Sequence, residues 1–193
     1  WIEMKKFILL GIIILSFIVQ GNNQIFKSNS KEYFIIKGKN IVNQKRLVTS
    51  LDKSNSKYEI LIRLDHPNGT ILNLKNQENK KIIGNLLMDI PSLESLSDYF
   101  DDWGSPLEEV VYQVTVLDLN NDGEKEIILT MFNPEYVVGL VSYIWTKERY
   151  IGEIQGGGSY MEVKNNRIIA PFGSQRLFEE YTLKNNRIVK TVN

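Results

Sequence analysis

Apolar and polar residues alternate at every second position along most of this chain, the period of strands whose two faces meet different surroundings. Between residues 33 and 87 the pattern gives five short runs: YFIIKG, RLVTSL, YEILIRL, TILNLK and KIIGNLL. Turn clusters separate them, at Lys53-Ser54-Asn55-Ser56, at His66-Pro67-Asn68-Gly69 and over residues 76–79. Pro67-Asn68-Gly69 is a strong reverse-turn signal and folds YEILIRL back on TILNLK as a hairpin. The period changes after Pro91. Leu93, Leu96 and Phe100 stand three and four apart behind Pro91 and Ser92, which predicts a short amphipathic helix over 92–100. A loop, Asp101 to Pro106, follows.

From Val110 onward period two returns. Val163-Lys164-Asn165-Asn166-Arg167-Ile168 is repeated twenty residues later as Leu183-Lys184-Asn185-Asn186-Arg187-Ile188. Asn-Asn suits the two positive-φ sites of a type I′ turn, so each copy reads as a hairpin tip. A third tip is expected at Thr146 to Arg149, between VSYIW and YIGEI. The fold class is therefore mainly β: antiparallel β-meander sheets resembling partial propeller blades, with one short helix near 92–100. The expected divisions are an N-terminal β-region over 32–90, the helix and loop over 91–105, and a meander over 106–193. Some 80 residues of meander are too few for a closed ring of four-stranded blades.

The chemistry lies in one loop inside VTVLDLNNDGEKEIILTMF. Asp118, Asn120, Asp122 and Glu126 put oxygen-bearing side chains at loop positions 1, 3, 5 and 9, with Gly123 at position 6. Hard cations such as Ca²⁺ take six to eight oxygen ligands, and glycine at position 6 permits the sharp turn. A helix–loop–helix EF-hand needs a bidentate Glu at position 12, where this chain has Leu129. The flanks, Val114 to Leu117 and Ile127 to Phe132, read as strands. On Asp118, Asn120, Asp122, Gly123, Glu126 and the following IIL, the loop resembles the calcium loops of FG-GAP and VCBS-type repeats, found in β-propellers and secreted bacterial proteins. The resemblance covers roughly twenty residues and a single copy. It implies Ca²⁺ held by side-chain oxygens of Asp118, Asn120, Asp122 and Glu126 and by the backbone carbonyl of Glu124. A plain Asx-rich hairpin turn is the competing reading, since Asn, Asp and Gly populate turns without a metal.

Lys5 and Lys6 precede an apolar run from Phe7 to Val19, a charged and then hydrophobic sequence of signal-peptide length, with Met4 the expected start. A run of thirteen residues falls short of the ~20 that span a bilayer. Cleavage after Gly21 leaves a polar leader over 22–31; the alternative is an uncleaved membrane anchor. Either reading makes the protein extracytoplasmic: secreted, periplasmic or at the cell surface. The chain has no cysteine, so it carries no disulfide framework and no lipidated Cys. Removing residues 1–21 takes Lys5, Lys6 and Glu3 from the 23 basic and 23 acidic side chains, leaving 21 and 22. Such a near-neutral domain offers no long-range field to nucleic acid. Abundant Lys, Asn and Ile fit an AT-rich bacterial genome.

Other sites are weaker. His66, the only histidine, lies in a turn beside Asp65, and no G-x-S-x-G elbow accompanies it. Asp101-Asp102, Glu108-Glu109 and Glu179-Glu180 are adjacent pairs, and neighbours on a strand point to opposite faces. Gln155 to Tyr160 is glycine-rich, with Trp103, Trp145 and Tyr160 as candidate stacking aromatics. Three functions compete on these residues. The first is a non-catalytic, calcium-binding β-domain contacting a protein or glycan at the cell surface. The second is an exported hydrolase using carboxylates, and the third a membrane-anchored structural envelope protein. Absence of a convergent nucleophile, base or soft-metal cluster favours the first.

Overall fold

The protein is described by a computed structural model over residues 24–38, 44–64, 69–91, 97–137, 139–172 and 177–191. The expected signal segment over 1–21, the Pro67-Asn68 part of the first hairpin turn with His66, and the first half of the expected helix lie outside the described residues.

Three up-and-down meanders of four antiparallel strands follow one another along the chain. The first is β3 (Gln44–Ser50), β4 (Lys57–Arg63), β5 (Ile71–Asn76) and β6 (Lys81–Asn85). The second is β7 (Val111–Leu117), β8 (Glu126–Phe132), β9 (Leu140–Trp145) and β10 (Tyr150–Gly156). The third is β11 (Met161–Lys164), β12 (Arg167–Phe172), β13 (Leu177–Lys184) and β14 (Arg187–Thr191). Two earlier strands complete the sheets: β1 (Phe26–Lys27) runs parallel to β11, and β2 (Tyr33–Lys37) antiparallel to β7. Each sheet is open at both edges, so none closes into a barrel. This is the mainly β, antiparallel-meander architecture that the alternation predicts, including the hairpin of β4 with β5.

The middle sheet is covered on both faces, which explains why its strands are apolar almost throughout where the others alternate. On one face Tyr112, Val114, Val116, Ile127, Leu129, Met131 and Tyr143 pack in one core with Tyr58, Ile60, Ile62, Leu72 and Leu74 of the first meander. On the other, Ile128, Leu140 and Ile144 share a second core with Phe26, Met161, Ile168, Ala170 and Leu183 of the third sheet. Every residue of β9 is buried. A fully buried aliphatic side chain contributes about 1.5–3 kcal/mol, so two such cores can hold a chain without disulfides. Polar residues that face the second core are paired: the Thr130 and Ser142 hydroxyls lie 2.7 Å apart, and Ser142 donates to Met161 Sδ at 3.2 Å.

The hairpin tips follow the sequence reading. Asn165, Asn166, Asn185 and Asn186 have φ of 52°, 59°, 50° and 52°, and the flanking pairs are Lys164 with Arg167 and Lys184 with Arg187. Positive φ at both central positions defines the I′ turn. The tip at Thr146 closes through its amide, which donates to the Arg149 carbonyl at 2.9 Å.

Two expectations change. The described part of the segment expected to be a loose leader is docked: Ile25 and Phe26 are buried, and Phe26 pairs with Met161. Gln113 fixes it, accepting from the Ile25 and Phe26 amides at 2.9 and 3.1 Å and donating to the Phe26 carbonyl at 2.7 Å. In the expected helix, the described residues 97–99 form a turn and Phe100 bridges Pro106. The Asp101 carboxylate explains the geometry, because it accepts from the Trp103 and Ser105 amides and turns the chain at once. Among the described residues, helical geometry occurs as a 3-10 turn at Leu86–Asp89, capped by the Asn85 side chain.

Candidate metal centre

The loop between β7 and β8 is closed by the pairing of Leu117 with Glu126. Inside it, side chains take the place of a ladder. Asp118 Oδ2 accepts from the Gly123 amide at 2.8 Å, and Asp118 Oδ1 from the Asp122 amide at 3.2 Å. Asn120 Oδ1 accepts from the same Asp122 amide at 3.2 Å, while its Nδ2 donates to Asp122 Oδ2 at 2.8 Å. Asp122 Oδ1 accepts from the Glu124 amide at 2.7 Å. Asn121 at φ 60° and Gly123 at φ 88° reverse the chain, conformations for which Asn and Gly are the favoured residues. Leu119 is buried in the second core and anchors the loop from below.

Glu126 sits beneath this turn with 2% of its surface exposed, and its Oε2 accepts from the Leu119 amide at 2.9 Å. Burial pushes its carboxyl up to about 7. The Leu119 amide acts against that rise, and the nearby Asp122 and Asp118 charges add to it. Asp118, Asp122 and Glu126 thus each turn a carboxylate to a backbone amide of the same loop, with the Asn120 side chain bonded to Asp122. The donor set consists of hard oxygens, which suits Ca²⁺ and not a soft metal.

The arrangement as it stands is not a closed coordination cage. Among the described residues, no three His, Cys, Asp or Glu side chains are grouped to hold a metal ion. The Asp118 and Asp122 carboxylates point at backbone amides, and the Glu124 side chain is turned to Lys147 Nζ, 3.8 Å away. Ligation requires the two aspartates to exchange amide protons for an ion.

The first meander grips this loop through the turn after β3. The Leu51 carbonyl accepts from the Lys125 amide at 2.7 Å. The Asp52 carboxylate pairs with Lys147 at 2.7 Å, and that hydrogen bond holds Asp52 down to about 2. Lys53 Nζ donates to the Asp122 carbonyl at 2.5 Å. Lys125 in turn pairs with Glu32 at 2.6 Å. Sequence reading missed this clamp because residues 51–53 are far from 118–126 in the chain and carry no motif of their own.

The other candidates separate. Glu179 is bonded to Lys190 and Tyr181, and Glu180 pairs with Arg167 at 2.5 Å, so each has a partner from a neighbouring position of its sheet. Asp101 is engaged in its own turn. Trp145 is fully buried against Tyr143 and Tyr150 and cannot stack a ligand, which corrects its place among the exposed aromatics. Tyr160 lies under Lys27, whose Nζ is 3.2 Å from the ring centre. Trp103 is 85% exposed beside a cleft of about 370 Å³ walled by Asn85, Met88, Phe100 and Asp102. No family model matches this chain, and no curated protein or solved structure matches it either.

Proposed function

We propose that the protein is an exported, non-catalytic β-domain whose Asp118–Glu126 loop binds one Ca²⁺ ion, and that it serves as a protein- or glycan-interaction module at the cell surface. The observation that carries this reading is Glu126. A carboxylate buried beneath two aspartates is costly unless a cation joins it, and Ca²⁺ supplies two charges to a set of hard oxygens. Asp118, Asn120, Asp122 and Glu126 are the side-chain ligands in this reading, with Glu124 contributing its backbone carbonyl. The likeness of the loop to FG-GAP and VCBS-type loops points the same way.

Lys5, Lys6 and the Phe7 to Val19 run support export, and an ion abundant outside cells suits a chain with no disulfides. The partnered states of Glu179 and Glu180 support a non-catalytic role. For the interaction role the support is Trp103, presented to solvent on a turn tied by the Asp101 carboxylate, together with the exposed Met88 that walls the neighbouring cleft.

Thermal melts in EGTA and in millimolar Ca²⁺ test the reading. The expected outcome is a rise of several degrees in Ca²⁺, most of which disappears in Asp122→Ala. Melting temperatures that agree within error would sink it.

A further inference from the structure

The cleft beside Trp103 forms where two turns distant in the chain meet. Thr70, at the end of the β4–β5 turn, donates its amide and its hydroxyl to the Gly104 carbonyl at 2.8 and 2.9 Å. Gly69 and Gly104 are in contact there, and a Cβ on Gly104 would come within 3.0 Å of Gly69 Cα. Leu87 and Phe100, both buried, give the cleft apolar walls, and Met88, 76% exposed, continues them outward. Its polar groups are of both kinds. Asn85 Oδ1 is taken by the Leu72 and Leu87 amides at 3.1 and 3.3 Å, which leaves Nδ2 as a donor with no partner among the described residues. Asp101 Oδ1 is taken by the Trp103 and Ser105 amides, which leaves Oδ2 as an acceptor. The Asp102 carboxylate adds further acceptors, and no Lys, Arg or His stands among the described residues of the lining.

We propose that this cleft binds a neutral mono- or disaccharide unit, with the exposed Trp103 indole as the stacking platform at its mouth. The inference rests on the interaction-module reading, which it narrows to a glycan, and is independent of the calcium loop. Trp103 stands between Asp102 and Gly104, both of which line the cleft. Two carboxylates with no cation beside them repel phosphate, sulfate and uronate ligands. An organic cation would use the acceptors and leave Asn85 Nδ2 unmatched, whereas a hydroxyl both donates and accepts. Apolar walls suit the C–H face of a sugar ring, and an indole offers a large flat apolar area with few rotatable bonds. The volume of about 370 Å³ falls within the range of small-ligand sites, roughly 300–1,000 Å³.

The test is a ¹H–¹⁵N titration with cellobiose, maltose, lactose and N,N′-diacetylchitobiose, each to tens of millimolar, with glucosamine and glucuronate as charged controls. At least one neutral disaccharide is expected to give saturable shifts in the Trp103 indole N–H and in the amides of Met88, Asp102 and Gly104, while glucuronate gives none. Trp103→Ala, at a side chain 85% exposed, should keep the melting temperature and weaken that sugar about tenfold. Asp102→Asn, which keeps an acceptor and loses the charge, should stay within about threefold of wild type. Silence with every disaccharide overturns the proposal, as does binding that Trp103→Ala leaves intact. A response to glucosamine alone, or a loss in Asp102→Asn as large as in Trp103→Ala, overturns it in favour of an organic cation. Retention of the wild-type protein on purified cell-wall sacculi is measured in parallel. Sacculi bound with no disaccharide response overturn this site and leave the interaction reading standing; absence of both overturns the glycan side of that reading as well.

Discussion

Glu126 decides how the loop responds to pH. Its carboxyl moves from an ordinary 4.5 to about 7 on folding, with burial the main cause. Below pH 4.5 it is protonated in both states and costs nothing. As pH rises from 4.5 the unfolded chain ionises first, and the folded state is progressively disfavoured until the cost is complete above 7. In EGTA this group alone therefore removes up to about 3 kcal/mol of stability between pH 4.5 and pH 7. Asp52 acts in a separate range: Lys147 and Ser54 hold it at about 2, so its contribution is present above 3.8 and lost only as pH falls toward 2. Urea midpoints in EGTA at pH 5, 6, 7 and 8 should fall across the series for wild type and stay flat for Glu126→Gln. A wild-type profile as flat as the variant would show that Glu126 is not strained by its site. The turn itself was legible from the spacing of Asp118, Asn120, Asp122 and Gly123, because a turn of this kind is specified locally. The burial of Glu126 was not legible, since it depends on Leu119 anchoring in a core built from distant strands.

The hairpin tips are the elements most fully written in the sequence. Asn166 and Asn186 hold φ of 59° and 52°, a region that Gly enters freely and β-branched residues resist. Asn166→Gly and Asn186→Gly should be neutral or mildly stabilising, and the Val variants should cost about 1–2 kcal/mol each. Urea midpoints of the four single mutants check this, and Val tolerated as well as Gly at both positions would contradict the I′ geometry. Strands were legible for the same reason: alternation in YEILIRL places Tyr58, Ile60 and Ile62 on the buried face. The apolar spacing of Leu93, Leu96 and Phe100 misled for the described part of its segment. Tyr99 and Phe100 are buried as a turn and a bridge, with Phe100 5.5 Å from the Tyr112 ring. Periodicity over so few residues reports burial and not the geometry that achieves it.

At the scale of the molecule, a middle sheet covered on both faces joins two cores, and its polar residues decide what attaches to it. Gln113 is wholly buried and uses both ends of its amide to hold Ile25 and Phe26 against the third sheet. Gln113→Leu should leave buried backbone groups unpaired and cost about 2–4 kcal/mol. Hydrogen exchange should show the Ile25 and Phe26 amides losing protection before those of β8; unchanged protection would mean that apolar packing alone docks β1. The same stacking sets the 118–126 loop under the clamp of residues 51–53, so an ion bound there would fasten the first meander to the second. The most direct test is a ¹H–¹⁵N correlation spectrum recorded as Ca²⁺ is added to the EGTA-stripped protein. The account predicts saturable shifts in the amides of Asp122, Gly123 and Glu124, which donate to the Asp118 and Asp122 carboxylates, with smaller shifts over 51–53 and little change in β13 and β14. A spectrum unmoved by millimolar Ca²⁺, or shifts centred away from 118–126, would contradict it.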